Sequence, residues 1–409
     1  MPGNNNIPEK EKEFHIKQIE EWQSIISENL PHLSKPQATV LALWSFGMAV
    51  IKTCGLTSVS FFLSLLLDEK ELTMKQRLRE WYCDRKDKKG RKMGENRTDI
   101  VVQDCFVFLL KWIIKHWQSK KIAIALDATS LSLSFTVLAV SVVYRGCAIP
   151  VAWTVTGGNE EGSWNKEWFR MLKLLMPAIP KEYMVIVMTD RGLYSPRLFR
   201  LIKKLGWHPF MRINATGTFM GKGNEYFKPI SSFAMTPGTH WQSEGIAFKT
   251  KDRQLPCTLL AYWEQGEDEA WFIITDLLAE AGDPCWYGMR TWIEESFRMT
   301  KRGGWQWHRT RMKDPKRAER MWLAISVATI WILSVGGQAD ASIPEDTLPD
   351  MVSDTAYQPK ASKPRRVSIF RRGWILILVS LIRHRPLTFG SFLPELWNET
   401  PLECCGIST

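Results

Sequence analysis

At 409 residues with a formal net charge of +11, the chain is long enough for a substantial core with appended domains, and its surface attracts a large acidic partner such as nucleic acid. Eight cysteines without a C-x-x-C pair argue against a disulfide scaffold or zinc site and for a reducing compartment, and the polar residues 1–12 carry no secretory signal. Two apolar stretches, 321–335 and 374–382, fall short of the roughly 20 residues that cross a bilayer, so the first reads as a buried helix and no membrane partner is expected.

Residues 1–118 are predicted to form an all-α N-terminal DNA-binding domain that opens on a polar arm. Ser34 and Pro36 make a cap and first-turn pair for a helix over 38–51, which Gly55 ends. Short helices over 58–67 and 73–83 follow, joined by the polar break Asp68-Glu69-Lys70. The second carries Lys75, Arg77 and Arg79 beside Trp81 and Tyr82, with Arg85, Lys86, Lys88, Lys89, Arg91 and Lys92 behind it. Short helix, turn and basic helix is the pattern of a helix-turn-helix reader of DNA; a solvated basic face on a helical bundle is the alternative. A longer helix spans 98–117.

From Lys121 the pattern changes to strands. An apolar run over 122–126 ends at Asp127, and β-rich runs over 135–144 and 148–156 flank the hairpin signal Arg145-Gly146. Ser163 caps a predicted helix over 164–175, a buried strand over 183–188 ends at Thr189-Asp190, and a helix over 196–204 precedes a strand over 208–213. The order β-β-β-α-β-α-β is that of an RNase H-like fold, in class α/β, with a mixed five-stranded sheet. Residues 215–276 are punctuated by Gly217, Gly221, Gly223, Pro229, Pro237 and Gly238. They read as an inserted β-rich domain, since a structureless loop of that length is unusual in a compact domain. Helices over 284–301 and 316–335 complete the core, which comprises 119–214 and 277–337. Residues 338–409 read as a linker and a tail with one short apolar helix; the stretch from Gly336 to about Arg366 is rich in Pro, Ser and Asp.

Asp127 and Asp190 stand at the ends of strands that are neighbours in such a sheet. Two carboxylates brought together without a counter-ion repel, and a pair of magnesium or manganese ions about 3.5–4 Å apart is the standard remedy. Oxygen ligands select these hard ions over zinc. Each aspartate alone also has an ordinary use, Asp127 in capping a turn before Thr129 and Asp190 in an Asx turn before Gly192.

Further along, Tyr287, Arg290, Glu294 and Lys301 are separated by two, three and six residues. Here the sequence resembles the DDE transposases of bacterial insertion sequences, specifically the IS-four group with its Tyr-Arg-Glu-Lys (YREK) signature. Leu126-Asp127-Ala128-Thr129 and Thr189-Asp190-Arg191-Gly192 resemble that family's first and second aspartate motifs. The resemblance covers roughly residues 120–335 and leaves those beyond about 340 unexplained. It implies that Asp127, Asp190 and Glu294 are catalytic ligands of two Mg2+ (or Mn2+) ions and that Tyr287, Arg290 and Lys301 lie against DNA phosphates. It also implies cutting at terminal inverted repeats and strand transfer into target DNA through hairpin ends. A homodimeric synaptic complex and a cytoplasmic, nucleoid-associated bacterial location go with that reading.

A hairpin end is helped by an aromatic side chain that receives a flipped base. Trp241 is the candidate, with Trp263 and Trp271 as rivals, although Trp271 sits in an apolar run that reads as core. Downstream, Arg302, Arg309, Arg311, Lys313, Lys316, Arg317 and Arg320 extend a basic surface suited to tracking phosphates. At about 100° per residue, Tyr287, Arg290, Glu294, Arg298 and Lys301 share one polar stripe, with Met289, Trp292, Ile293 and Ser296 opposite. Glu295 lies about 100° away from Glu294, so Glu294 is the expected third ligand. Two other readings remain: an RNase H-like nuclease such as a junction resolvase, and a transposase-derived DNA-binding regulator that no longer cuts. The insertion, the basic helices and the signature argue against the first, and the presence of all three acids lends the second no support.

Overall fold

Apolar and β-branched residues dominate 121–157 and form three long antiparallel strands, β1 (Lys121–Leu131), β2 (Phe135–Tyr144) and β3 (Cys147–Gly157). The turn between β2 and β3 has two residues, Arg145 at φ 47° and Gly146 at φ 80°, the left-handed pair that matches the twist of a tight hairpin. Every residue of β2 is buried, so both faces of the sheet are covered. The computed structural model describes residues 9–88, 98–131, 134–158, 164–342 and 367–397. Lys89, Arg91 and Lys92 of the basic run, the expected cap Ser163 and most of the expected linker lie outside them.

β4 (Met184–Thr189) runs parallel beside β1, and β5 (His208–Arg212) runs parallel beside β4. The sheet does not stop at these five strands. β6 (Thr218–Gly221), β7 (Lys228–Pro229), β8 (His240–Ala247), β9 (Leu255–Tyr262) and β10 (Trp271–Thr275) continue it, in the order β3-β2-β1-β4-β5-β10-β9-β8-β6-β7. A bare edge on β5 would leave backbone groups unpaired; β10 takes that edge antiparallel, with Ile273 opposite Arg212. The strands of 215–276 are therefore rungs of the core's own sheet.

Helices cover the sheet. The N-terminal ones are α1 (Glu9–Asn29), α2 (Lys35–Ile51), α3 (Leu56–Leu67), α4 (Glu71–Tyr82) and α5 (Val102–Lys115). α1 occupies what reads in sequence as the end of a polar arm: it is rich in charged residues, but Ile19, Trp22 and Ile26 recur on one face and are buried. α6 (Asn165–Leu175) and α7 (Pro196–Lys204) connect the parallel strands. The signature segment is not one uniform helix: a 3-10 turn over Pro284–Thr291 leads into α8 (Trp292–Arg298), and a π turn over Met299–Gly303 follows.

α9 (Pro315–Ala341) runs through the centre of the protein and continues past Gly336, where the linker is expected to start. It is the one described helix long and apolar enough to cross a membrane, and 89 % of its most apolar window is buried inside the protein. α10 (Ile369–Ile382) crosses it so closely that a Cβ on Gly336 would lie 1.9 Å from the Ile369 carbonyl oxygen. Helices and sheet share one hydrophobic core, in which Trp22 of α1 stacks on Trp331 of α9 with ring centres 4.4 Å apart.

Candidate active site

The register of β1 against β4 sets up the site. Their last parallel pair is Ala125 with Met188; Asp127 and Asp190 each lie two residues further on, so both side chains return to the face of that pair, at the same level. β1 itself does not end at Asp127, because it stays paired with β2, where Asp127 faces Ala139. Each aspartate divides its oxygens. Asp190 Oδ1 accepts from the Gly192 and Leu193 N–H groups, both at 3.0 Å, and Asp127 Oδ1 accepts from Ala128 N–H at 2.8 Å. The second oxygen of each is left for the site, so the ordinary turn role and a site role coexist.

Glu294 arrives from α8. Ser296, two residues on, pins that helix to β3: its hydroxyl donates to the Ala148 carbonyl at 2.6 Å and accepts from the Ala148 N–H at 2.5 Å. The three carboxylates meet at one guanidinium. Arg290 Nη2 lies 2.8 Å from Asp127 Oδ2 and 3.6 Å from Asp190 Oδ2, while its Nη1 pairs with Glu294. Three carboxylates against one guanidinium leave a formal charge of −2 among these four side chains. Asp127, Asp190, Arg290 and Glu294 line a cavity of about 630 Å³ together with Arg298, Lys301 and Arg302.

Burial pushes the Asp127 carboxyl up to about 6; Arg290 and the Ala128 N–H oppose this, and the neighbouring Asp190 and Glu294 add to it. Burial works against the Arg290 charge, but Asp127, Tyr287, Glu294 and Asp190 outweigh it and the net shift is upward. Lys301 is lowered, first by burial and then by Arg302, with Asp127 opposing. The donors are oxygens alone, which suits magnesium or manganese, and the three carboxylates outnumber the one guanidinium that they share. Among the described residues no three acidic, histidine or cysteine side chains close on a metal-sized space; the Arg290 guanidinium lies among the carboxylates instead. By donor chemistry and charge the residues fit divalent ions.

The other expected residues are distributed differently. Tyr287 is buried, and its hydroxyl donates to the Thr189 carbonyl at 3.2 Å; burial raises its pKa. The 3-10 turn advances about 120° per residue instead of about 100°, so the four steps from Tyr287 to Thr291 swing the ring some 80° off the stripe. Tyr287 thereby braces the residue before Asp190 instead of facing the cavity. Arg298 lines the cavity but is held in a two-pronged pair by Glu295 at 2.7 and 2.8 Å. Trp241 is half-buried in β8 with Phe233 at 4.2 Å, and Trp271 packs edge-on to Tyr287 at 5.4 Å; neither lines the cavity.

In α4, Met74, Leu78 and Trp81 face inward. Arg77 pairs with Glu69 at 3.1 Å, the Arg85 N–H donates to Asp99 at 2.6 Å, and Arg79 and Lys86 are exposed. Sequence reasoning missed Ser296 as the pin of α8 and Glu269, which pairs with both Arg191 and Arg212 at 3.0 and 2.6 Å beside the Asp190 turn. No local pattern signals either, because both roles depend on contacts between distant segments.

Residues 118–331, more than half of the chain and inclusive of the three carboxylates, match the family described as transposase DDE domain. Among solved structures, the cryo-EM structure of the piggyBac transposase synaptic complex with hairpin DNA is similar over 77 % of this chain and 77 % of that one, with 10 % identity and a TM-score of 0.34. Comparison with curated proteins gives no match.

Proposed function

Because the chain belongs to the transposase DDE-domain family, we propose that it is a cut-and-paste DNA transposase that cleaves and rejoins transposon DNA ends at Asp127, Asp190 and Glu294. The observation that carries this reading is the convergence of those three carboxylates, from β1, the end of β4 and α8, on one guanidinium in a single open cavity. The strand order β3-β2-β1-β4-β5 supports an RNase H-like core beneath them. Two Mg2+ or Mn2+ ions held by the three carboxylates would, when bound, activate the attacking oxygen and stabilise the leaving one.

The chain's own residues do the rest. Lys301 and Arg302, on the cavity rim, attract the phosphate and orient it. Arg290, fixed by its neighbours, offers a planar fork to a phosphate oxygen once the carboxylates have other counter-charges. The Asx turn and the Tyr287 bond keep Asp190 level with Asp127, and such preorganisation is what rate depends on. In cleavage, a water oxygen bonds to phosphorus as the bond to the 3′ oxygen breaks; in transfer, that 3′ hydroxyl attacks another phosphorus and displaces its ester oxygen. Hairpin ends, terminal inverted repeats as substrate and a homodimer holding two ends belong to the same proposal, by resemblance to the IS-four group.

The test is nicking of labelled end DNA in magnesium. Asp127→Ala and Asp190→Ala are expected to abolish it while DNA binding is retained, since the basic surface supplies affinity. Cutting at a normal rate by either variant would overturn the assignment. Wild-type protein that binds the DNA and leaves it intact would favour the silent-regulator reading.

A further inference from the structure

A second cavity, of about 920 Å³, opens between the start of α3, the outer side of α4 and the loop that leads into α9. Arg79, Arg309, Arg311, Lys313 and Arg317 line it against one acid, Asp314, whose carboxylate caps α9 by accepting from Arg317 N–H at 3.1 Å. Arg317 is engaged by Asp87 at 2.9 Å. Arg79, Arg309, Arg311 and Lys313 are exposed and have no acidic partner among the described residues. Like charges crowded round one cavity repel each other, and an anionic ligand relieves that repulsion.

The two cavities are connected by one stretch of chain. Lys301 and Arg302 border the catalytic cavity, and Arg309, Arg311 and Lys313 border the second. Between them Trp305 and Trp307 are driven into the core. Trp305 Nε1 donates to Thr329 at 3.0 Å, and Trp307 meets Trp322 edge-on at 5.4 Å and stacks on Phe135 at 6.0 Å. The basic residues are therefore mounted on a fixed track. A single phosphate or carboxylate would engage one end of that track, whereas a row of phosphates on a backbone engages its length.

We propose that the second cavity holds the sugar–phosphate backbone of duplex DNA to one side of the scissile bond, as a clamp outboard of the catalytic cavity; the proposal rests on the transposase reading above. It joins α4 of the N-terminal helices and the segment after the signature into one surface, although they are far apart in sequence.

The experiment combines Arg79→Gln, Arg309→Gln, Arg311→Gln and Lys313→Gln and follows binding of a labelled mixed-sequence duplex by anisotropy across a salt series. The slope of log affinity against log salt is expected to flatten by about 0.9 for each phosphate that is no longer neutralised, or about 3.6 for four of them. The charge-retaining set Arg79→Lys, Arg309→Lys, Arg311→Lys and Lys313→Arg should restore most of the slope. An unchanged slope in the Gln variant, or a charge-retaining variant as weak as it, overturns the clamp. A wild-type protein that binds no duplex at low salt would instead overturn the reading of function itself.

Discussion

Glu295 gives both oxygens to Arg298, at 2.7 Å from Nε and 2.8 Å from Nη2, while Glu294 beside it turns to Arg290 and the cavity. Identical groups on adjacent residues thus have different partners, and substitution should separate them. Glu294→Gln is expected to reduce metal-dependent cleavage to background with the fold intact, its side chain being 60 % exposed. Glu295→Gln should keep most activity and cost less than about 1 kcal/mol, because its partner is largely in solvent. Parallel nicking assays with a denaturation curve for each decide it, and a dead Glu295→Gln beside an active Glu294→Gln would sink the assignment. The different orientations of Glu294 and Glu295 were legible in the sequence because Arg290 and Glu294 stand four apart, a spacing that survives the change of helix type between them. The fate of Tyr287 was not, since periodicity analysis assumes one angular step and a 3-10 turn uses another.

Among the elements, the sequence's strand–helix order through 121–213 corresponds closely to β1–β5, because alternation and turn chemistry are local signals. The joining of β6–β10 to the same sheet is a long-range pairing that no window of sequence contains. Gly336-Gly337 shows the converse error. A glycine pair after an apolar helix reads as a stop, yet α9 continues through it, because the missing side chains admit the backbone of α10. A Cβ on Gly373 would come within 2.0 Å of the Ile332 carbonyl oxygen, much as one on Gly336 meets Ile369. Gly336→Ala and Gly373→Ala should each destabilise the protein by roughly 3 kcal/mol, at the upper end of what overpacking costs. Gly282→Ala, where the nearest atom is a side chain at 3.5 Å, serves as the control. Equal denaturant midpoints for all three variants would contradict the close crossing.

At the scale of the molecule, the segment least explained by the sequence is an integral layer. Phe392 is buried and exchanges backbone hydrogen bonds at 2.9 Å with His116 and Gln118, and Arg145 at the β2–β3 hairpin reaches both Asp340 at 2.7 Å and the Leu393 carbonyl at 2.5 Å. A chain stopped after residue 366 is expected to lose solubility and to show red-shifted tryptophan emission, since α10 and Phe392 no longer cover their part of the core. A soluble product with native emission would show the segment to be dispensable. Nothing in 338–409 hinted at this layer, because a short apolar helix does not declare its partner.

That closing layer also ties the two ends of the chain together: Leu387 N–H donates to Gln18 of α1 at 2.6 Å, and Trp374 Nε1 to the Val50 carbonyl at the end of α2 at 3.4 Å. A polypeptide emerging from the ribosome has its first helices exposed long before residues 369–397 appear, and they wait, incompletely covered, for partners still being translated. The outboard clamp and the catalytic cavity are both built on the frame that those late residues complete. Competence for DNA should therefore await the synthesis of residues 369–397, and nascent chains that lack them should be clients for chaperones rather than binders of DNA.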